Sequence, residues 1–159
     1  MAALEPVVVD REAFTVIGVE YQGPMDNFEG ISGVWGSYSK RAGEIEPKAS
    51  EIAGYGVFYS MPEQAELGET CYMACAPVPA KTRVPEGMEK LRVPGGKFAM
   101  LTHKGILTDL PQAFETLFRW IAESPYETLG TPGYELYDER FSPVSPDCEI
   151  DIFIPVKAQ

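Results

Sequence analysis

Gly133-Tyr134-Glu135-Leu136-Tyr137-Asp138-Glu139 reads as a short β-strand with one carboxylate set among aromatic and apolar side chains. Strand side chains alternate between faces, so Glu135 and Tyr137 share one face and Tyr134 and Leu136 the other. An acid in the middle of a half-buried strand is costly unless something partners it. A related stretch lies earlier in the chain, Gly54-Tyr55-Gly56-Val57-Phe58-Tyr59-Ser60. Both open on Gly-Tyr, and in that register Gly56 corresponds to Glu135.

Working outward, the flanks of the two stretches also match in kind and order. Val7–Tyr21 lies on Leu91–Gly105 without a gap, and each contains a β-rich run, Phe14 to Tyr21 and Phe98 to Lys104. Each is followed by a helical pattern bearing a tryptophan in its later part. The first runs from Met25 to about Arg41 with Ile31, Val34, Trp35 and Tyr38 on one face. The second starts at Thr108-Asp109-Leu110-Pro111, carries Leu110, Phe114, Leu117, Phe118 and Ile121, includes Trp120, and ends near Ser124-Pro125. Gly30, Gly33 and Gly36 lie three apart in the first helix, which suggests close backbone approach by a sheet or a ligand. An acidic turn is expected over Glu63 to Glu69. Each half closes with a strand ending at a proline, Thr70 to Val78 and Cys148 to Val156, and residues 80 to 90 read as a linker. The expected fold is α+β: a duplicated β-α-β-β unit with pseudo-twofold symmetry and two helices packed on an antiparallel sheet. One half then offers space at Gly56 where the other offers a carboxylate, as one ligand on a pseudosymmetric scaffold requires.

Composition narrows the function. The chain has 159 residues and a formal net charge of -11, the wrong sign for a phosphate-binding surface. No direct nucleic-acid contact is expected. No run is long and apolar enough to cross a bilayer, and the N-terminus lacks the features of a signal peptide. Three cysteines, Cys71, Cys75 and Cys148, point to buried thiols in a reducing cytoplasm. The single histidine, His103, has no ligand pair or triad partner at any recognisable spacing. Neither a P-loop nor a dinucleotide fingerprint occurs, so no cofactor and no metal are expected.

The order of strand, tryptophan-bearing helix, Gly-Tyr-Gly strand, Pro-Gly-Gly-Lys-Phe strand, second tryptophan-bearing helix, Tyr-Glu-Leu-Tyr strand and terminal Ile-Pro-Val resembles the GyrI-like effector-binding domain. That module also forms the ligand-sensing half of multidrug-responsive and AraC-type transcription regulators of bacteria. The resemblance runs from about Glu12 to Val156. It implies a single domain over 1–159, with half-repeats of about 5–79 and 88–157 joined by a linker at about 80–87. It also implies an aromatic pocket between the repeats. Glu135 matches a buried, cation-attracting glutamate, Trp35 and Tyr55 match aromatic pocket positions, Tyr137 matches the neighbour two residues after the glutamate, and Leu110 falls near a further pocket position. Trp120 is a candidate pocket wall, and Tyr59, Tyr72 and Phe28 have no place fixed by spacing.

These residues lead to an expectation of a stand-alone protein binding lipophilic, cationic drug-like compounds. A carboxylate in low dielectric and aromatic faces both favour a positive charge. Two alternatives stand beside it. One is a hydrolase of strained, cyclopropyl-type electrophiles, with Glu135 as general base. The other is an interaction module acting on DNA gyrase. A separate regulatory partner is compatible with the first reading.

Overall fold

The computed structural model describes residues 5–24, 28–48, 53–59, 69–105, 109–138, 140–141 and 147–158. Strands β1 (Val7–Arg11) and β2 (Phe14–Pro24) are followed by helix α1 (Phe28–Arg41), β3 (Gly54–Tyr59) and β4 (Glu69–Val78). The series then repeats as β5 (Glu89–Val93), β6 (Gly96–Lys104), α2 (Leu110–Ala122), a short β7 (Tyr126–Thr128), β8 (Gly133–Tyr137) and β9 (Glu149–Ala158). The sheet runs β1-β6-β9-β8-β3-β4-β2-β5, with β7 paired to the end of β9. Every pairing is antiparallel.

The strand order is a palindrome. Matching β1 with β5, β2 with β6, β3 with β8 and β4 with β9 gives the same sequence of neighbours from either end. The symmetry axis falls on the β3–β8 seam, where Gly56 stands directly opposite Glu135, Gly54 opposite Tyr137 and Phe58 opposite Gly133. The duplication therefore places the two matched residues of the Gly-Tyr strands face to face at its centre.

One part of the sequence overlay shifts. Val16 faces Pro77 on one side of the molecule, and Phe98 faces Pro155 on the other. The counterpart of Phe98 is therefore Val16, two residues from Phe14. The strands next outward follow suit, since Val9 pairs with Phe98 and Leu91 with Val16. Arg11 thus corresponds to Val93. A shift of two keeps every side chain on its face, so the alternation pattern could not register it.

Both helices lie on one face. Helix α1 packs on β2 and β4, and α2 on β6 and β7. Under α2, Leu110, Ala113, Leu117 and Ile121 meet Leu101, Ile150, Ile152 and Ile154. Phe118, expected on that apolar face, is 45% exposed. Asp109 stands at the N-cap of α2 without a side-chain capping bond, and Pro111 sits in the first turn. The opposite face holds Val16, Tyr55, Val57, Met73, Cys75, Val93, Phe98, Tyr134 and Phe153. Its rim is closed by the β1–β2 turn, where Phe14 lies 4.9 Å from the Tyr55 ring and 5.2 Å from Tyr134. The three cysteines are buried and form no disulfide, and His103 is buried on β6.

Strand β8 stops at Tyr137, before the Asp138-Glu139 end of the expected strand. Asp138 accepts from both the backbone N–H and the guanidinium of Arg140, which turns the chain. Arg140 also reaches Asp151 on β9. The expected acidic turn at 63–68, the helix start at Met25, the role of Thr108 and the Phe28 side chain lie outside the described residues.

Two of the three glycines of α1, Gly33 and Gly36, do not behave as expected. A Cβ added at Gly33 or Gly36 meets nothing within 4 Å, so no close approach requires them, and they weaken the helix without a packing return. Gly33→Ala and Gly36→Ala are each expected to stabilise the protein by about 0.5–1 kcal/mol, read as a higher urea midpoint at unchanged slope.

Candidate functional site

Glu135 is 6% exposed at the centre of the helix-bearing face. Its Oε1 accepts from the Tyr137 hydroxyl at 2.6 Å and from the Tyr72 hydroxyl at 2.8 Å. Tyr72 in turn accepts from Trp35 Nε1 at 2.9 Å, which ties α1 to the sheet centre. The Tyr137 ring stands edge-on to Trp35 with centroids 5.0 Å apart, and Phe141 packs on Tyr137 at 4.9 Å. Among the described residues, no lysine, arginine or histidine pairs with Glu135.

Position 56 has to be glycine for this cluster to exist. A Cβ there would run into Tyr72 Oη and come within 2.7 Å of Glu135 Oε1. The space that the symmetric partner of Glu135 leaves empty is filled by the phenol that binds it.

Burial pushes the Glu135 carboxyl above its ordinary value, against the opposing effect of the Tyr137 and Tyr72 hydrogen bonds. Burial, reinforced by the neighbouring carboxylate, pushes both phenols far up. The two tyrosines therefore stay protonated as donors, while the carboxyl is the group that titrates.

Above the cluster lies a cavity of about 620 Å³. Its walls include Ser32, Trp35 and Tyr38 of α1, Gly54 of β3, and Tyr137 and Phe141. Trp35 and Tyr137 are thus shared by the cluster and the cavity, and Glu135 itself is not among the lining residues. Asp138, also at the cavity, is occupied by Arg140 at 2.9 Å, which holds its carboxyl below the usual range.

The sequence profile of the GyrI-like small molecule binding domain matches residues 4–157. The chain belongs to this family. It is 33% identical over 151 residues to the transcriptional regulator BrlR of Pseudomonas aeruginosa, covering 94% of this chain and 54% of that protein. The chain thus spans about half the length of the curated relative it matches. The fold is shared with the C-terminal domain of EcmrR, at TM-score 0.77, 16% identity and full coverage of both chains (100% and 100%). It is also shared with SAV2435, solved bound to tetraphenylphosphonium, at TM-score 0.75 and 17% identity over 97% of this chain and 94% of that one.

Within this GyrI-like domain, three expected site residues come together, Trp35, Glu135 and Tyr137. Tyr55 does not join them. It pairs with Leu136 across the seam and so points to the other face, against Phe14 and Tyr134. Leu110 is buried under α2, and Trp120 packs beside it, neither lining the cavity at Trp35. Tyr72 is the residue whose role spacing did not reveal. The signal was present in Gly56, because a glycine facing a large residue leaves a void that a same-face neighbour must fill.

A carboxyl raised in the fold favours folding most at pH below the ordinary carboxylate value. That advantage is lost as pH rises through the folded value. Glu135→Gln keeps an acceptor for both phenols and cannot ionise. Its stability relative to the unmodified protein is expected to improve from pH 5 to pH 8, measured by urea unfolding at each pH. Gly56→Ala should instead cost about 1–3 kcal/mol or more through overpacking, and quench the Trp35–Tyr72 contact in near-ultraviolet circular dichroism.

Proposed function

We propose that this chain is a cytoplasmic ligand-sensing domain whose helix-side cavity takes lipophilic aromatic monocations, with Glu135 as counter-charge. The reading rests on a buried carboxylate in an aromatic cluster whose bound partners, among the described residues, are two phenolic hydroxyls and no cation. A cation on the outer faces of Trp35 and Tyr137 gains ring attraction of about 0.5–2 kcal/mol. It also feels Glu135 through one aromatic layer, worth roughly 2–3 kcal/mol at about 5–8 Å with an effective dielectric near 20. Apolar area supplies the remainder, so flat and globular aromatic cations are both acceptable.

The phosphonium cation held by SAV2435 has this chemistry. BrlR is a transcriptional regulator nearly twice the length of the matched segment. We read the same sensing role here, with any DNA contact made by a partner outside this domain, whose net charge of -11 repels phosphate.

The test is titration with tetraphenylphosphonium, followed by tryptophan fluorescence in a Trp120→Phe background so that Trp35 alone reports. Saturable quenching is expected, with affinity at least tenfold weaker in Glu135→Gln and no such loss for neutral triphenylphosphine oxide. Affinity for the phosphonium should also fall as pH drops through the raised Glu135 value, because the proton and the ligand compete for one charge. Equal binding by both proteins across pH would overturn the assignment.

A further inference from the structure

Arg11 is the mirror problem on the other face. Its guanidinium lies 4.6 Å from the Phe153 ring centroid and 5.8 Å from that of Tyr134, and its Nε donates to Tyr134 Oη at 3.1 Å. Among the described residues it forms no ion pair. In the other half of the fold its position is taken by Val93, which is 0% exposed. The scaffold therefore accepts an aliphatic side chain here and carries a cation instead. Beside it opens a second cavity of about 400 Å³, walled by Arg11, Ala13, Phe14, Tyr55 and Pro77.

We propose that this cavity binds small monoanionic aromatic compounds of the arene carboxylate class, held by the Arg11 guanidinium against Phe14 and Tyr55. Guanidinium presents a planar fork of donors that matches a carboxylate. Nε donates to Tyr134 and the guanidinium also hydrogen-bonds the Tyr55 hydroxyl, which leaves the rest of its five N–H donors for a ligand. The aromatic walls accept one or two fused rings. The rim sets the charge limit: Asp10 and Glu12 also border the cavity. Asp10 is drawn to Lys97 at 3.4 Å, and Glu12 is exposed. One negative charge at Arg11 is matched, whereas a nucleotide or polyphosphate would meet two carboxylates.

Isothermal titration with 2-naphthoate and neutral 2-naphthamide tests this on the unmodified protein, Arg11→Val, Arg11→Lys and Glu135→Gln. Arg11→Val copies the symmetric half and is expected to fold, checked by its urea midpoint. Arg11→Lys, which keeps charge and stem but loses the fork, carries the comparison if the valine variant does not fold. The expected result is one saturable naphthoate site, at least tenfold weaker in Arg11→Val, severalfold weaker in Arg11→Lys and unchanged in Glu135→Gln. Absence of saturation, equal affinity for the amide, indifference to both Arg11 substitutions, or loss in Glu135→Gln would each overturn the proposal. Because Glu135 lies on the other side of the sheet, failure here leaves the cation reading standing, and the reverse also holds.

Discussion

A single carboxylate oxygen, Glu135 Oε1, receives two phenolic O–H groups where a salt bridge would ordinarily stand. Much of the helix-bearing face is arranged to permit this. Gly56 supplies the room, Tyr72 crosses it, and Trp35 extends the chain of hydrogen bonds into α1. Neutral donors offset only part of the desolvation of a carboxylate. The residual imbalance is visible as the upward displacement of the Glu135 carboxyl. The proposed cation would supply the charge that the two phenols do not.

Strand alternation turns β8 into a divider between two chemistries. Glu135 and Tyr134 are adjacent in sequence, yet one serves the helix-side cluster and the other the Arg11 rim. The sheet keeps the carboxylate and the guanidinium from neutralising each other, and neither forms an ion pair among the described residues. That separation costs the fold the electrostatic gain of a pairing.

Much of this was legible in the sequence because it depends on local periodicity. Two-residue alternation put Glu135 with Tyr137, and the three-four spacing of Val34, Trp35 and Tyr38 turned Trp35 toward the sheet. The matched Gly-Tyr strands identified Gly56 as the counterpart of Glu135. Tyr55 was misplaced by analogy, although its own parity with Gly56 already put it on the far face. The cross-strand reach of Tyr72 depends on register between β3 and β4, which no local pattern encodes. The same is true of Arg11, whose place over the Phe153 ring emerges only when β1 pairs with β6. The two-residue slip in the overlay was invisible for the opposite reason, since it preserves every face.

The location of Glu135 on the pseudosymmetry axis also bears on how such a protein can arise. Two identical half-length chains associating about a true twofold would carry the same residue on both sides of the crossing. Two glycines there would leave a hole without charge. Two glutamates would set like charges against each other in a dry interior and drive one of them to take a proton. Fusing the halves into one polypeptide removes that constraint, because each copy can then change alone. A centred single charge is available to the covalent duplicate and denied to the symmetric dimer, which makes gene fusion a precondition of this site rather than a convenience of assembly.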